Sequence, residues 1–199
     1  LCSWSLNRTD IERLHNMIPE IDVISPMIFA IFNDVEYGEY TCSAGFKGVN
    51  ADYCRIEQPK MRYGRYLNQT DMDMERKVCV IGERIYEQLF PDGGDPCGKY
   101  IKSGGIYFQI IGVDISSNNI RIRTAPGNSI LIPEKLANRL FNRGNMVDMV
   151  CLTAKSGIHA STLEPRLRSV IARFHSIALD DSEALTVLNT EQIFLIIDN

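Results

Sequence analysis

The stretch Gly64–Val113, GRYLNQTDMDMERKVCVIGERIYEQLFPDGGDPCGKYIKSGGIYFQIIGV, holds a strand, a helix and a hairpin in immediate succession. Lys77 to Ile81 (KVCVI) is apolar on both faces after its lysine, the pattern of a strand covered on two sides. Gly82 turns the chain into ERIYEQLF, where Ile85, Tyr86, Leu89 and Phe90 share one helical face. Glu83 stands in the first turn, where the helix dipole favours a negative charge. After PDGGDP come two short strands, KYIK and IYFQIIGV. Ser103-Gly104-Gly105 joins them, and adjacent glycines supply the positive φ angles of a tight hairpin.

Upstream, Thr9-Asp10-Ile11-Glu12 reads as a capping box, opening a helix whose face is Ile11, Leu14, His15 and Ile18 and which Pro19 closes. Val23–Phe32 is predicted as a strand, Asn33–Gly38 as the turn, and Tyr40–Val49 as the returning strand of a long antiparallel hairpin. Asn50–Glu57 is a short helix or turn. Downstream, Ile120-Arg121-Ile122-Arg123 alternates and predicts a strand with one wet face, its arginines solvated. Ser129–Ile132 is a further strand, and Pro133 opens the helix PEKLANRLF with Leu136 and Leu140 one turn apart. Val147–Ala154 is an apolar strand. Thr162–Phe174 is an amphipathic helix with Leu163, Leu167, Val170, Ile171 and Phe174 on one stripe and Arg166, Arg168 and Arg173 opposite. Asp180-Asp181 marks a turn, and Ala184–Leu188 is the last predicted strand. Helices and strands are segregated, which fits an α+β fold better than a doubly wound sheet. The β-rich middle, about residues 91–145, reads as an inserted subdomain between flanks 1–90 and 146–199.

A net charge of −4 spread over both signs lacks the basic face of a nucleic-acid binder. No run reaches the ~18 apolar residues of a membrane-spanning helix. The chain opens at Leu1 without methionine and stops inside the apolar run QIFLIIDN, so both ends are expected to be cut points in a longer protein. The six cysteines form no CxxC pair. Cys79 and Cys151 read as small buried hydrophobes, whereas Cys42 and Cys54 can pair in an oxidising compartment.

The familiar chemical motifs are missing: no GxxxxGK[ST], no GxGxxG after a strand, no GxSxG and no HExxH. No cofactor, metal or catalytic residue is therefore predicted. His15, His159 and His175 are widely separated, and His175 suits a helix C-terminus as a cation. Asp71, Asp73 and Glu75 fall short of a calcium loop, lacking its glycine and distal glutamate. Thr70 before them reads as the start of a helical turn. Asn7-Arg8-Thr9 and Asn68-Gln69-Thr70 match a glycosylation tripeptide that also arises by chance.

The ordered set Gly64-Arg65, Asp71, Val78-Cys79-Val80-Ile81-Gly82, Leu89-Phe90, Asp95-Pro96, Gly98-Lys99, Ile101, Gly105, Phe108 and Ile110-Ile111-Gly112-Val113 resembles the extracytoplasmic core domain of MacB-like (FtsX-like) ABC transporter permeases. The likeness extends to Val23-Ile24-Ser25-Pro26, Gly48-Val49-Asn50 with Tyr53, Ile130–Pro133, and Arg173-Phe174-His175 with Asp180-Asp181. Phe174 and Cys97 depart from it, replacing a basic and a small aliphatic residue. The resemblance implies a porter-like α+β subdomain formed by both ends of the chain with an inserted β-rich (Sabre-like) subdomain. Leu1 would follow one transmembrane helix of an inner-membrane permease, and Gln192–Asn199 would approach the next. It implies a periplasmic domain that couples cytoplasmic ATP-driven motion to export or extraction of a substrate. The partners it implies are a second permease copy, a cytoplasmic ABC ATPase, and a periplasmic adaptor with an outer-membrane channel. The other reading left open is a stand-alone periplasmic module binding a peptide or lipid.

Overall fold

The computed structural model describes residues 4–117, 121–179, 181, 183–190 and 192–199, with Ile31 and Phe32 described in their backbone alone. In chain order the elements are α1 (Arg8–Met17), β1 (Ile21–Tyr37), β2 (Tyr40–Val49), α2 (Cys54–Glu57), β3 (Met61–Gly64), α3 (Gln69–Asp73), β4 (Val78–Gly82) and α4 (Glu83–Leu89). The hairpin β5 (Tyr100–Ser103) and β6 (Ile106–Asp114) follows, then β7 (Ser129–Pro133), α5 (Glu134–Leu140), β8 (Met149–Ala154), α6 (Ala160–His175), β9 (Leu185–Thr190) and β10 (Ile193–Asp198). The fold is α+β, as the segregated pattern predicts.

Two compact units divide the chain. The first comprises residues 1–27 and 143–199. Its sheet is antiparallel throughout, in the order β1–β8–β10–β9, with residues 21–27 of β1 at one edge. Helices α1 and α6 pack on each other, and Leu14, Ile18, Leu163, Leu167 and Ile171 are buried. β10 was not expected as a strand: Ile193–Ile196 pair with β8 on one side, and Ile193–Asp198 pair with β9 on the other.

The second unit, residues 28–142, is a ring of strands. Residues 28–37 of β1 pair with β2, β2 runs parallel to β7, β7 pairs with β4, β4 runs parallel to β6, and β6 pairs with β5. The Glu36–Lys102 pair then returns β5 to β1, and the Ser103 hydroxyl donates to the Asp34 carbonyl beside it. β3 adds to β6. Closing the ring leaves few unpaired strand edges. All five residues of β4 are buried, as its two-sided apolar pattern requires. Gly104 and Gly105 take φ values of 56° and 79°, the mirror-image turn that matches strand twist.

Several expectations shift. The box at α1 is Asn7/Asp10, two residues earlier than Thr9/Glu12: the Asn7 side chain accepts from the Asp10 amide at 3.2 Å, and Asp10 accepts in return from Asn7 at 2.9 Å. The chain is still extended at Asn7, because Leu6 and Arg8 are bonded to Val147 and Asn145, so Asn7 is the cap and Thr9 lies inside the first turn. β1 does not turn at Asn33 but bulges between Ala30 and Asn33 and continues to Tyr37, leaving Gly38-Glu39 as the turn. Arg121–Arg123 forms no strand, only an isolated Ile122–Thr124 bridge; Ile120 lies outside the described residues. Phe174 leaves the buried stripe and is exposed, since α6 ends at Ser176 in the left-handed conformation and the ring overhangs, covered by the Arg13 guanidinium at 4.2 Å. The two compact units part at 27/28 and 142/143, and β5, β6 and β7 share one sheet with β2 and β4. Of Asp180-Asp181, Asp180 lies outside the described residues.

Candidate functional site

Within unit 2 the motif residues build one polar anchor. Gly64, at φ 69°, brings its backbone so close to β6 that an added Cβ would stand 1.9 Å from the Ile111 carbonyl oxygen. The Arg65 amide then bonds that same oxygen at 2.9 Å. The Arg65 guanidinium grips Asp71 with both arms, at 2.7 and 3.1 Å. Asp71 has no exposed surface and also accepts the Asn68 amide at 2.9 Å, while the Asn68 side chain caps α3 in return. Arg76 adds a longer contact at 3.5 Å. Burial pushes the Asp71 carboxyl up, but Arg65, the Asn68 amide and Arg76 outweigh it and hold it below the usual carboxylate range.

The expected acidic cluster is thereby dispersed. Asp71 turns to the arginines, Asp73 accepts from Gln69 at 2.9 Å, and Glu75 pairs with Arg139 at 3.4 Å. The cap of α3 is Asn68, two residues before Thr70. Both asparagines of the glycosylation tripeptides, Asn7 and Asn68, cap helices. Among the described residues no group of three His, Cys, Asp or Glu side chains is placed to hold a metal ion. Cys42, Cys54, Cys79, Cys97 and Cys151 are free thiols, and burial raises Cys79 beyond any functional range. Cys2 lies outside the described residues.

A second anchor was not singled out from the sequence. Lys47, in the middle of the apolar strand AGFKGV, is 1% exposed, and its ammonium reaches Glu57 at 3.2 Å and the Thr124 carbonyl at 3.0 Å. The Tyr53 hydroxyl donates to the same Glu57 oxygen at 2.7 Å. The signal in the sequence is a lysine inside an apolar strand, six residues before a Tyr-x-x-x-Glu pair one helical turn apart, which marks a buried cation without naming its acid. Burial, with Glu57 nearby, keeps the Tyr66 phenol well above its usual range.

In unit 1 the first and last described elements are tied together. The Leu6 amide donates to Asp198 at 2.8 Å and the Val147 amide to the Leu6 carbonyl at 3.0 Å. Burial raises the Asp198 carboxyl, and Asp148 adds to the effect. His175, at the end of α6, sets Nε2 2.7 and 2.8 Å from the two oxygens of buried Asp10, with the Trp4 ring 4.8 Å away. His15 is exposed on α1 and His159 precedes α6, so the three histidines stay apart. What these anchors do is fix backbone geometry: each charged group is spent on holding elements together.

Of the anchor residues, Tyr53, Gly64, Arg65, Asp71 and His175 also belong to the ordered motif set of the sequence. The MacB-like periplasmic core domain family matches residues 3–170. The chain belongs to this family. Among its relatives is the macrolide export ATP-binding/permease protein MacB of Pectobacterium atrosepticum, 21% identical over 189 residues, covering 95% of this chain and 28% of that protein. The pyoverdine export ATP-binding/permease protein PvdT of Pseudomonas aeruginosa is 29% identical over 142 residues, 71% of this chain and 21% of PvdT. The chain thus spans about a quarter of the length of these relatives. The periplasmic region of MacB from Actinobacillus actinomycetemcomitans superposes with a TM-score of 0.75 at 17% identity, covering 96% of this chain and 78% of that one. The extracellular domain of the ABC-type transporter YknZ from Gram-positive bacteria gives 0.73 at 17% identity, covering 87% and 86%. At such identity the shared property is the fold. No helix among the described residues is long and apolar enough to cross a membrane.

Proposed function

We propose that this MacB-like core domain is the periplasmic part of an inner-membrane ABC transporter permease, and that it passes ATP-driven motion outward rather than performing chemistry itself. The observation that carries this reading is the tie between Leu6 and Asp198 in unit 1, within a chain of this family. A displacement of either neighbouring segment then moves one packed body instead of fraying an end. Unit 1, formed from 1–27 and 143–199, is the counterpart of the porter-like subdomain, and the ring of strands, 28–142, that of the inserted β-rich one. The work coupled to this motion is export or extraction of a substrate. The partners are a second permease copy, a cytoplasmic ATPase domain or subunit, and a periplasmic adaptor with an outer-membrane channel. The names of the relatives, which pair an ATP-binding and a permease function in one protein, support the ATPase assignment.

Purification of the full-length protein from membranes tests this. An ABC ATPase, in the same chain or co-purifying, with vanadate-sensitive ATP hydrolysis, is the expected result. A protein that purifies from the soluble periplasmic fraction with no ATPase would contradict it.

A further inference from the structure

The ring of strands in unit 2 carries a cleft of about 200 Å³ walled by Phe29, Ala30, Gly45, Phe46 and Thr124, with Lys47 and Arg123 also in its lining. Phe29 and Lys47 stand opposite each other across β1 and β2. Lys47 is already committed to Glu57 and the Thr124 carbonyl, so the accessible cation here is Arg123. Its guanidinium lies 4.5 Å from the centre of the Phe29 ring, and among the described residues no carboxylate is bonded to it. Its backbone sits at φ 66°, a left-handed conformation that is strained for an arginine and is retained where the surroundings impose it. The surroundings are visible: Ile122 is fully buried, and Thr124 seats so closely on Gly45 that any Cβ there would stand 2.7 Å from its methyl.

We infer that this cleft binds a single-chain alkyl carboxylate, the chain against Phe29, Ala30 and Phe46 and the carboxylate on Arg123. Three observations select that chemistry. The volume lies below the ~300 Å³ at which drug-sized ligand pockets begin, so a macrocycle does not fit but one alkyl chain does. The walls are mostly aromatic and aliphatic, and among the described residues that line them the charge with no carboxylate bonded to it, Arg123, is positive. β2 is paired on both sides, with β1 and β7, so an extended peptide would find no strand edge for its own backbone groups. An alkyl chain has none to satisfy. This site does not depend on the transporter reading.

The test is a titration of the isotopically labelled chain with sodium decanoate below its micelle concentration, followed by amide NMR. Decyl sulfate, decanol and decyltrimethylammonium serve as parallel arms. Arg123→Asn is the variant, because asparagine tolerates the left-handed backbone and folding is preserved. Decanoate is expected to bind about tenfold more tightly than decanol or the cation, the effect of one charge-assisted contact. The shifts should be confined to residues 29–30, 45–47 and 122–124, and Arg123→Asn should bring decanoate down to the level of decanol. Decyl sulfate binding more tightly than decanoate would replace the carboxylate by a general anion site and overturn the assignment. So would equal binding of the cation, shifts elsewhere, indifference to Arg123→Asn, or no binding by any of the four.

Discussion

Arg65 closes both arms of its guanidinium on the two oxygens of Asp71, a carboxylate with no exposed surface. Removing the carboxylate charge leaves Arg65 and Arg76 facing a neutral group and weakens the α3 cap. Asp71→Asn is expected to destabilise the chain by about 2–4 kcal/mol in urea unfolding at neutral pH. The pH dependence has a definite sign. The folded carboxyl sits below its unfolded value, so its contribution is present above the unfolded value and is lost as pH falls through the folded one. Wild-type and Asp71→Asn stabilities should therefore converge below about pH 4, the ordinary carboxylate range. Parallel curves down to the acid limit would show that Asp71 acts through packing alone.

Lys47 and Glu57 provide a second, separable case. Lys47→Met strands the Glu57 carboxylate in a site with 3% exposure, and the expected loss is about 3–5 kcal/mol. Lys47→Met combined with Glu57→Gln removes the charge on both sides and keeps an acceptor for Tyr53, so most of that loss should return. A double variant as unstable as the sum of the singles would mean the pair is not coupled.

Gly64 and Gly104 share a positive φ but not their surroundings. Around Gly104 no atom lies within 4 Å of an added Cβ, so Gly104→Ala should cost about 1 kcal/mol of left-handed strain. At Gly64 the Ile111 carbonyl blocks the same carbon, and Gly64→Ala should cost at least twice as much and displace β3 from β6. Thermal unfolding of the two variants side by side decides whether close approach or φ alone preserves Gly64.

Asp198 is expected to behave in the opposite sense to Asp71. Burial raises its folded carboxyl above the unfolded value, so its contribution is largest below the unfolded value and is lost as pH rises through the folded one. Asp198→Asn keeps an oxygen to accept the Leu6 amide without the buried charge. Its stability at neutral pH should equal or exceed wild type, and a clear loss at neutral pH would show that Asp198 gains more from its partners than burial takes away.

Much of unit 2 was legible because its signals are local. The apolar run of β4, the stripe Ile85, Tyr86, Leu89 and Phe90, and the paired glycines of the β5–β6 turn each fix one element without help from distant residues. What escaped depends on partners far away in sequence. β10 did not show as a strand in its own residues, because the pairing with β8 that seats it in the sheet joins segments some way apart in the chain. The α1 cap fell on Asn7 because residues 145–147 hold the preceding chain extended. Arg121–Arg123 alternates as a strand does, yet Ile122 is buried as a single plug and its neighbours bend around it. The Lys47–Glu57 pair is invisible to periodicity, since nothing in the sequence says which acid a buried lysine will meet. The strand order of the ring escaped for the same reason, because it is set by pairings between segments far apart in the chain.

The central claim is that this domain moves as the ATPase turns over, and it is tested most directly in the full-length permease reconstituted in lipid. A spin label on an unnatural amino acid at Ser169, exposed on α6 of unit 1, reports by pulsed EPR the distance between the two proposed permease copies. Trapping the ATPase with ATP and vanadate should shift that distance distribution from its nucleotide-free position. An unchanged distribution in a preparation that still hydrolyses ATP would contradict the account.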